Sequence, residues 1–136
     1  MKRYLVDADA FIALIRQDDS NHQKALAVIE RFKSDTQYLT SNYVFSEVVT
    51  VLSLRVGKSA ALAFIDTIHL ETSPYTILPV DAALEKDAVA VFKAQASKNV
   101  SFVNCINIAL VRAHQLDGIF SFDKVYKKNG LPTIPG

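Results

Sequence analysis

The chain has 136 residues, half of them hydrophobic, with only four glycines and four prolines, which excludes a disordered or fibrous protein and predicts one globular domain over residues 1–136. Fifteen basic and fourteen acidic residues give a net charge of +1, which excludes a generally basic surface for nucleic acid. The single cysteine, Cys105, excludes an internal disulfide and a cysteine metal site.

Apolar segments are too short for a membrane protein. No apolar run approaches the roughly 18 residues that cross a bilayer. Asp7 and Asp9 interrupt the apolar stretch near the start, where a signal peptide would need its hydrophobic centre. We therefore expect a cytoplasmic protein without membrane contact.

The first element is a short buried strand that ends in a carboxylate. Residues 3–6, "RYLV", have the apolar character of a strand, and Asp7 follows directly. Residues 10–16 have helical apolar spacing, and Asp9 is the predicted N-cap of this helix.

The rest of the chain continues this alternation of strands and helices. The predicted elements are, in order, a helix over 20–34, a strand over 37–41, helices over 42–55 and 59–71, a strand over 74–80, helices over 81–97 and 101–116, a strand over 118–122 and an edge strand over 131–136. Ser20 and Asp81 are predicted N-caps, and Gly57 is a predicted stop. Short apolar strands between helices predict an α/β fold with a parallel sheet covered on both faces.

Two of the predicted strands end in aspartate. Asp7 follows the first strand, and Asp123 follows the strand over 118–122. Ligands of open parallel sheets bind beyond the carboxyl ends of the strands, so these side chains are candidates for one site. The first strand lacks the glycine-rich turn that cradles phosphate, and "VDADAF" stands there instead. An acidic loop repels phosphate unless a cation lies between them.

Glu47 has an apolar neighbourhood on its predicted helix. For an isolated glutamate, a side chain that reaches past the helix edge to water is the better interpretation. A buried carboxylate is costly unless it is paired or bound to metal. Since Asp7 and Asp123 are expected at the same edge of the sheet, a shared cation site becomes the stronger hypothesis.

Three segments together resemble the signature blocks of the PIN-domain family, in particular the small VapC-type toxins of toxin–antitoxin pairs. They are "YLVDADAFIAL", "LTSNYVFSEVVTVL" and "SFVNCINIALVRAHQLDGIFSFDKVYKKNGL". The resemblance implies a three-layer sandwich with a mostly parallel sheet of four to five short strands. It also implies an acidic cluster that binds Mg²⁺ or Mn²⁺ and cleaves RNA.

The resemblance assigns roles to individual residues. Asp7, Glu47 and Asp123 match the family's acidic metal ligands, and Asn104 stands where the family has a further aspartate, which completes the predicted catalytic and metal-binding set. Ser41 and Ser121 resemble hydroxyl residues that line such sites. Asp9 stands where the family has a small polar residue, and capping is the preferred role for it over metal contact.

Asn104 and Asn107 are amides one helical turn apart in an apolar segment. The resemblance places Asn104 in the metal pocket and not in the core, which explains a polar side chain in this segment. An amide, however, binds a hard cation more weakly than a carboxylate does. Either the protein is a divergent or impaired member, or an aspartate was changed to asparagine to disable a toxic nuclease. The second is slightly favoured, since the other signature residues are intact. For Asn107, capping a helix carbonyl is preferred over a contact behind the metal ligands.

Three classes of function remain open at this point. The favoured one is a metal-dependent endoribonuclease toxin, and the alternative is a PIN-fold module that binds RNA or an antitoxin without cleaving. A phosphotransfer receiver or small-molecule enzyme is disfavoured, because neither pattern is present. The resemblance implies an RNA substrate, a cognate antitoxin and a homodimer. Five basic residues are candidates for local contacts with RNA: Lys124, Lys127, Lys128, Arg55 and Lys58. Ordinary exposure on the protein surface explains these residues as well.

Overall fold

A computed structural model describes all residues from 1 to 136 as seven helices around a five-stranded sheet. The elements are β1 (Lys2–Val6), α1 (Ala8–Ile15), α2 (His22–Arg31), β2 (Thr36–Ser41), α3 (Asn42–Arg55), α4 (Lys58–Ile68), β3 (Tyr75–Leu78), α5 (Ala82–Lys93), α6 (Phe102–Ala113), β4 (Gly118–Phe120), α7 (Val125–Lys128) and β5 (Thr133–Ile134). None of the helices has the length and apolar character needed to cross a membrane.

The sheet is parallel throughout, with strand order β3-β2-β1-β4-β5. The chain builds outwards from β1 through β2 to β3, and then returns to the other side of β1 to add β4 and β5. The strand order therefore reverses between β1 and β4, whose carboxyl ends open the crevice in which α/β sheets bind ligands. This reversal places Asp7 beside the residues that follow β4.

Side chains of each strand alternate between two cores. In β1, Tyr4 and Val6 pack with α1, α2, α3 and α4, whereas Leu5 packs with α5 and α6 on the opposite face. The helices cover both faces because the strands β1 to β4 present apolar side chains to both of them. The predicted three-layer α/β sandwich is confirmed.

Of the three predicted N-caps, one is confirmed and two are wrong. Asp81 accepts a hydrogen bond from the Leu84 N–H, as a cap should. Ser20 does not cap α2, whose N-cap residue is Asn21. Asp9 is not the N-cap of α1 either: Asp7 is, because its extended backbone directs its own carboxylate to the Ala8 N–H.

Gly57 ends α3 as predicted, and it does so with a backbone φ of 139° that disfavours side-chain-bearing residues. The short helix α7 lies in a segment for which no helix is predicted, because four residues are too few for an apolar period to be visible. It is this helix that carries Tyr126 into the core.

Candidate active site

An open pocket of about 450 Å³ lies at the carboxyl ends of β1 and β4. Its lining includes all four predicted site residues, Asp7, Glu47, Asn104 and Asp123, together with Asp9. These side chains come from the β1–α1 junction, α3, α6 and the segment after β4. The fold therefore brings together residues that are up to 116 positions apart in the sequence.

Asp7 forms the floor of the pocket and is held by several donors. One carboxylate oxygen, Oδ1, accepts from the Ala8 N–H at 2.8 Å and from Asn107 Nδ2 at 3.0 Å. The other, Oδ2, accepts from the Tyr126 hydroxyl at 2.6 Å and lies 3.4 Å from Ser121 Oγ. Burial raises the pKa of Asp7, and these hydrogen bonds oppose that rise.

Asp123 and Glu47 lie nearer the solvent. Asp123 Oδ1 accepts from the Val125 N–H at 3.0 Å, and its Oδ2 lies 3.3 Å from Asn104 Nδ2. Glu47 is exposed at the rim. Partial desolvation, and next the charge of Asp7, raises the pKa of the Glu47 carboxyl. The like charges in the pocket thus disfavour one another's ionised forms.

Asp9 is one of two further carboxylates that line this pocket, the other being Asp19. It accepts from the Phe122 N–H at 2.8 Å, and its oxygens lie 3.0 and 3.1 Å from Ser121 Oγ. Burial, and next the charge of Asp7, raises the pKa of Asp9 to about 7. Asp9 therefore ties the start of α1 to the segment after β4, a role that the expectation of an N-cap did not include.

Asn104 is buried at the start of α6, and both ends of its amide are engaged. Its Oδ1 accepts from the Ser101 N–H at 2.9 Å, while Ser101 Oγ accepts from the Asn104 N–H at 3.0 Å, which forms a capping box. Its Nδ2 donates to Asp123 and, at 3.0 Å, to the Tyr126 hydroxyl. The amide therefore presents donors to the pocket, while its oxygen faces the backbone.

Asn107 and Tyr126 support the floor of the pocket. Asn107 donates to Asp7 and, at 2.9 Å, to the Tyr126 hydroxyl, so the expectation that it caps a helix carbonyl is wrong. Tyr126 was not predicted from the sequence as a site residue. The sequence did offer a signal for it: Tyr126 stands three residues after Asp123, next to the apolar Val125, in a segment that otherwise contains three lysines.

The two serines have different positions. Ser121 Oγ lies between Asp7 and Asp9 and also accepts from the Asp123 N–H at 3.1 Å, so it is buried behind the carboxylates and does not line the pocket itself. Ser41 is buried at the N-terminus of α3 and accepts from the Val44 N–H at 3.1 Å. Its hydroxyl stabilises the helix that presents Glu47.

The predicted basic residues are distributed unevenly around the site. Lys124 and Lys128 line a second groove of about 500 Å³, which shares Asp123 and Asn99 with the acidic pocket. Arg55 lines the acidic pocket itself. Lys58 and Lys127 lie outside both cavities. A local positive charge therefore exists on one side of Asp123.

The donor set of the pocket suits a hydrated divalent cation. The ion pairs of the protein involve Asp18, Glu30, Asp35 and Asp117 and no carboxylate of the pocket. Arg55 lines the pocket but forms no ion pair there, so no ion pair relieves the repulsion among the carboxylates. No three acidic side chains are arranged to bind one ion directly. The pocket has room for an ion that keeps part of its water shell, as Mg²⁺ does in proteins.

The sequence matches the PIN domain family over residues 4–130. The chain belongs to the PIN-domain family. The predicted resemblance to the VapC-type toxins of this family is confirmed by the match and by the structural comparisons that follow.

Several solved structures resemble this PIN domain along nearly its whole length. A toxin–antitoxin complex from Klebsiella pneumoniae is 15% identical with a TM-score of 0.64, over 90% of this chain and 88% of that chain. VapC20 of Mycobacterium tuberculosis, described as a sarcin–ricin loop cleaving toxin, is 26% identical with a TM-score of 0.84, over 95% of this chain and 96% of that chain. VapBC2 of Rickettsia felis, solved with a promoter DNA fragment, is 11% identical with a TM-score of 0.71, over 96% of each chain. FitAcB of Neisseria gonorrhoeae is 14% identical with a TM-score of 0.68, over 96% of this chain and 95% of that chain. No curated protein sequence matches significantly.

Proposed function

We propose that this PIN domain is a metal-dependent endoribonuclease that acts as the toxin of a toxin–antitoxin pair. The observation that carries the proposal is the pocket at the β1–β4 crevice, in which Asp7, Asp9, Glu47 and Asp123 form no ion pair and outnumber the one basic residue of the lining, Arg55. RNA as the substrate class is supported by the likeness to VapC20. An antitoxin partner is supported by the likeness to the toxin–antitoxin complex from Klebsiella pneumoniae.

Asp7, Glu47 and Asp123 are the residues that would hold Mg²⁺ or Mn²⁺. When bound, the ion supplies an activated water and neutralises charge on the attacked phosphodiester. Asp7 contributes a carboxylate of fixed orientation, because three hydrogen bonds of 3.0 Å or less hold it. Glu47 contributes a carboxylate that is free to turn towards water or the ion.

Asn104 occupies the remaining predicted position, but its oxygen is turned to Ser101. As a donor to Asp123, it lowers the negative charge that the pocket presents to a cation. The chain as it stands is therefore expected to be a weak nuclease. A homodimer and a cytoplasmic location remain predictions from the family resemblance.

The substitution Asn104→Asp tests the proposed function. The new carboxylate places a charged oxygen near Asp123, so the variant needs a cation to relieve the repulsion. We expect Mg²⁺- or Mn²⁺-dependent cleavage of RNA to rise by orders of magnitude and to stop on addition of chelator. We also expect Mn²⁺ to raise the unfolding temperature of the variant more than that of the parent chain.

The matched control is the double variant Asn104→Asp with Glu47→Gln, which restores one charge and removes another. It is expected to show no gain in cleavage. If purified Asn104→Asp protein cleaves no RNA with either ion, including ribosomal RNA and its isolated stem-loops, the proposal of a nuclease is wrong.

A second function is favoured by the contact between Asn104 and Asp123. Because the amide satisfies this carboxylate without a cation, the protein could bind RNA or an antitoxin without cleaving. Under this alternative, RNA affinity measured by fluorescence anisotropy stays the same in chelator, and Asn104→Asp creates no cleavage. Loss of binding on removal of metal would reject it.

A further inference from the structure

The buried hydroxyl of Tyr126 joins α6, α7 and the residue that follows β1. Tyr126 has no exposed surface. Its hydroxyl lies 2.6 Å from Asp7 Oδ2, 2.9 Å from Asn107 Nδ2 and 3.0 Å from Asn104 Nδ2. A phenylalanine ring would fill the same space, so packing alone does not account for the hydroxyl.

The direction of these hydrogen bonds follows from simple donor chemistry. The Ser101 backbone N–H can only donate, so it fixes the Asn104 oxygen towards itself and the Asn104 NH₂ towards Tyr126. Asn107 also presents its NH₂ to the phenol oxygen. A phenol accepts about two hydrogen bonds and has one proton to donate. With both acceptor positions filled by amides, that proton is directed to Asp7.

Asn107 carries a further sign that these contacts set its orientation. Its NH₂ serves both Asp7 and Tyr126, whereas its Oδ1 is the buried side-chain atom that has no hydrogen-bond partner. Leaving a buried acceptor without a partner costs free energy. The side chain keeps this orientation because the two donor bonds, one of them to a carboxylate, outweigh that cost.

We propose that Tyr126 is a positioning residue for Asp7, with the Asn104 and Asn107 amides directing its hydroxyl. The network holds the Asp7 carboxylate so that Oδ2 keeps one acceptor position on the side of Ser121 and the pocket. Ser121 Oγ lies closer to Asp9 than to Asp7, so its single proton is directed to Asp9 and leaves that position free. This inference rests on the proposed function of the pocket and assigns Asn104 the role of a donor.

The test is the affinity of the metal-free protein for Mn²⁺, measured by titration calorimetry on Tyr126→Phe. Mutation of a residue that hydrogen-bonds to a metal ligand typically lowers metal affinity about 10- to 100-fold. We expect a loss of about tenfold, at the low end of that range. The matched control is Tyr38→Phe, which removes the hydroxyl of another buried tyrosine, one bound to the Phe32 carbonyl far from the pocket.

RNA cleavage provides a second measurement on the same two proteins. Tyr126 lies beneath the pocket and does not line it, so Tyr126→Phe is expected to lower kcat while KM for RNA stays unchanged. If Tyr126→Phe and the control Tyr38→Phe have the same Mn²⁺ affinity and the same kcat, the proposal is overturned. A loss of stability without a change in Mn²⁺ affinity would overturn it as well, since it would show a purely structural role.

A cycle of Tyr126→Phe, Asp7→Ala and the double variant separates this inference from the proposed function. In metal-free protein, the two single changes in unfolding temperature are expected not to add up in the double variant, because each substitution removes the hydrogen bond between Tyr126 and Asp7. Strict additivity would overturn the positioning role. If the parent chain binds no Mn²⁺, the nuclease proposal fails, while the cycle still decides the role of Tyr126. Should Tyr126→Phe not fold, Asn107→Leu is expected to lower Mn²⁺ affinity in the same direction, and unchanged affinity would overturn the proposal.

Discussion

At the scale of single residues, the site depends on which atom each side chain presents. Asn104 and an aspartate have nearly the same shape, but Asn104 presents N–H groups to Asp123 and Tyr126. An amide donor stabilises a neighbouring carboxylate, whereas a second carboxylate repels it. At position 104, an asparagine therefore reduces the need for a cation, whereas an aspartate increases it. The two side chains differ only in an NH₂ group in place of an oxygen.

Asp9 leads to a prediction about pH. Its folded-state pKa is raised to about 7 from an ordinary value of 3.8, so the folded protein binds a proton that the unfolded chain has already lost. The contribution of Asp9 to stability therefore falls as pH rises from about 4 to about 7 and is constant above that range. We expect Asp9→Asn, which keeps an acceptor for the Phe122 N–H, to reduce this loss.

The measurement is the free energy of urea unfolding of metal-free protein at pH 5, 6, 7 and 8. Asp9→Asn should gain stability relative to the parent chain as pH rises. The control, Asp87→Asn, removes an exposed carboxylate of α5 that makes no ion pair. A constant difference between parent and Asp9→Asn across this range would contradict the prediction.

At the scale of elements, helix termini place most of the site. Asp7 caps α1, Ser41 caps α3 and Ser101 caps α6, so three helices begin at the same edge of the sheet. A helix N-terminus has unpaired N–H groups that favour oxygen atoms nearby. The residues that start the helices are thus the residues that hold or adjoin the carboxylates.

Ser101→Ala tests the capping of α6. Removing the cap of a helix costs about 1 kcal/mol. In this protein the lost cap bond is the one that the Asn104 N–H donates to Ser101 Oγ. We expect the free energy of unfolding to fall by about 1 kcal/mol, as measured in urea. The control, Ser53→Ala, changes an exposed serine within α3 and should leave stability nearly unaltered; equal losses in both variants would count against the capping role.

At the scale of the whole molecule, the net charge conceals an uneven distribution. The acidic pocket and the groove lined by Lys124 and Lys128 meet at Asp123. Neither lysine forms an ion pair with an acidic side chain. A strand of RNA whose scissile phosphate lies in the pocket would pass along this groove, where the lysines can bind its neighbouring phosphates.

We expect the double variant Lys124→Ala/Lys128→Ala to bind single-stranded RNA more weakly and with a smaller salt dependence. Each phosphate contact contributes about 0.7 to the slope of log affinity against log salt for single strands. The slope, measured by fluorescence anisotropy in chelator, should therefore decrease by about 1.4. The control, Lys2→Ala/Lys33→Ala, removes two charges near the amino ends of β1 and β2, whereas the pocket lies at the carboxyl ends of the strands. Similar losses in both double variants would show that only net charge matters.

The alternation of apolar strands and helices determined the α/β class, because secondary-structure periods are local properties of the chain. The strand-terminal Asp7 and Asp123 were also readable, since the carboxyl ends of parallel strands share one edge of the sheet. The apolar neighbourhood of Glu47 made it a candidate before the family was considered, and the family resemblance assigned it a role and added Asn104 to the set. The pocket that the structure forms contains all four residues.

Only the tertiary structure decided what the buried polar atoms contact. Asp9 turned to the Phe122 N–H instead of capping α1, and Asn107 and Tyr126 turned to Asp7. These partners lie 100 or more residues apart in the sequence. A local pattern cannot rank such contacts, because the hydrogen-bond partner of a buried group is selected by the packing of several elements at once.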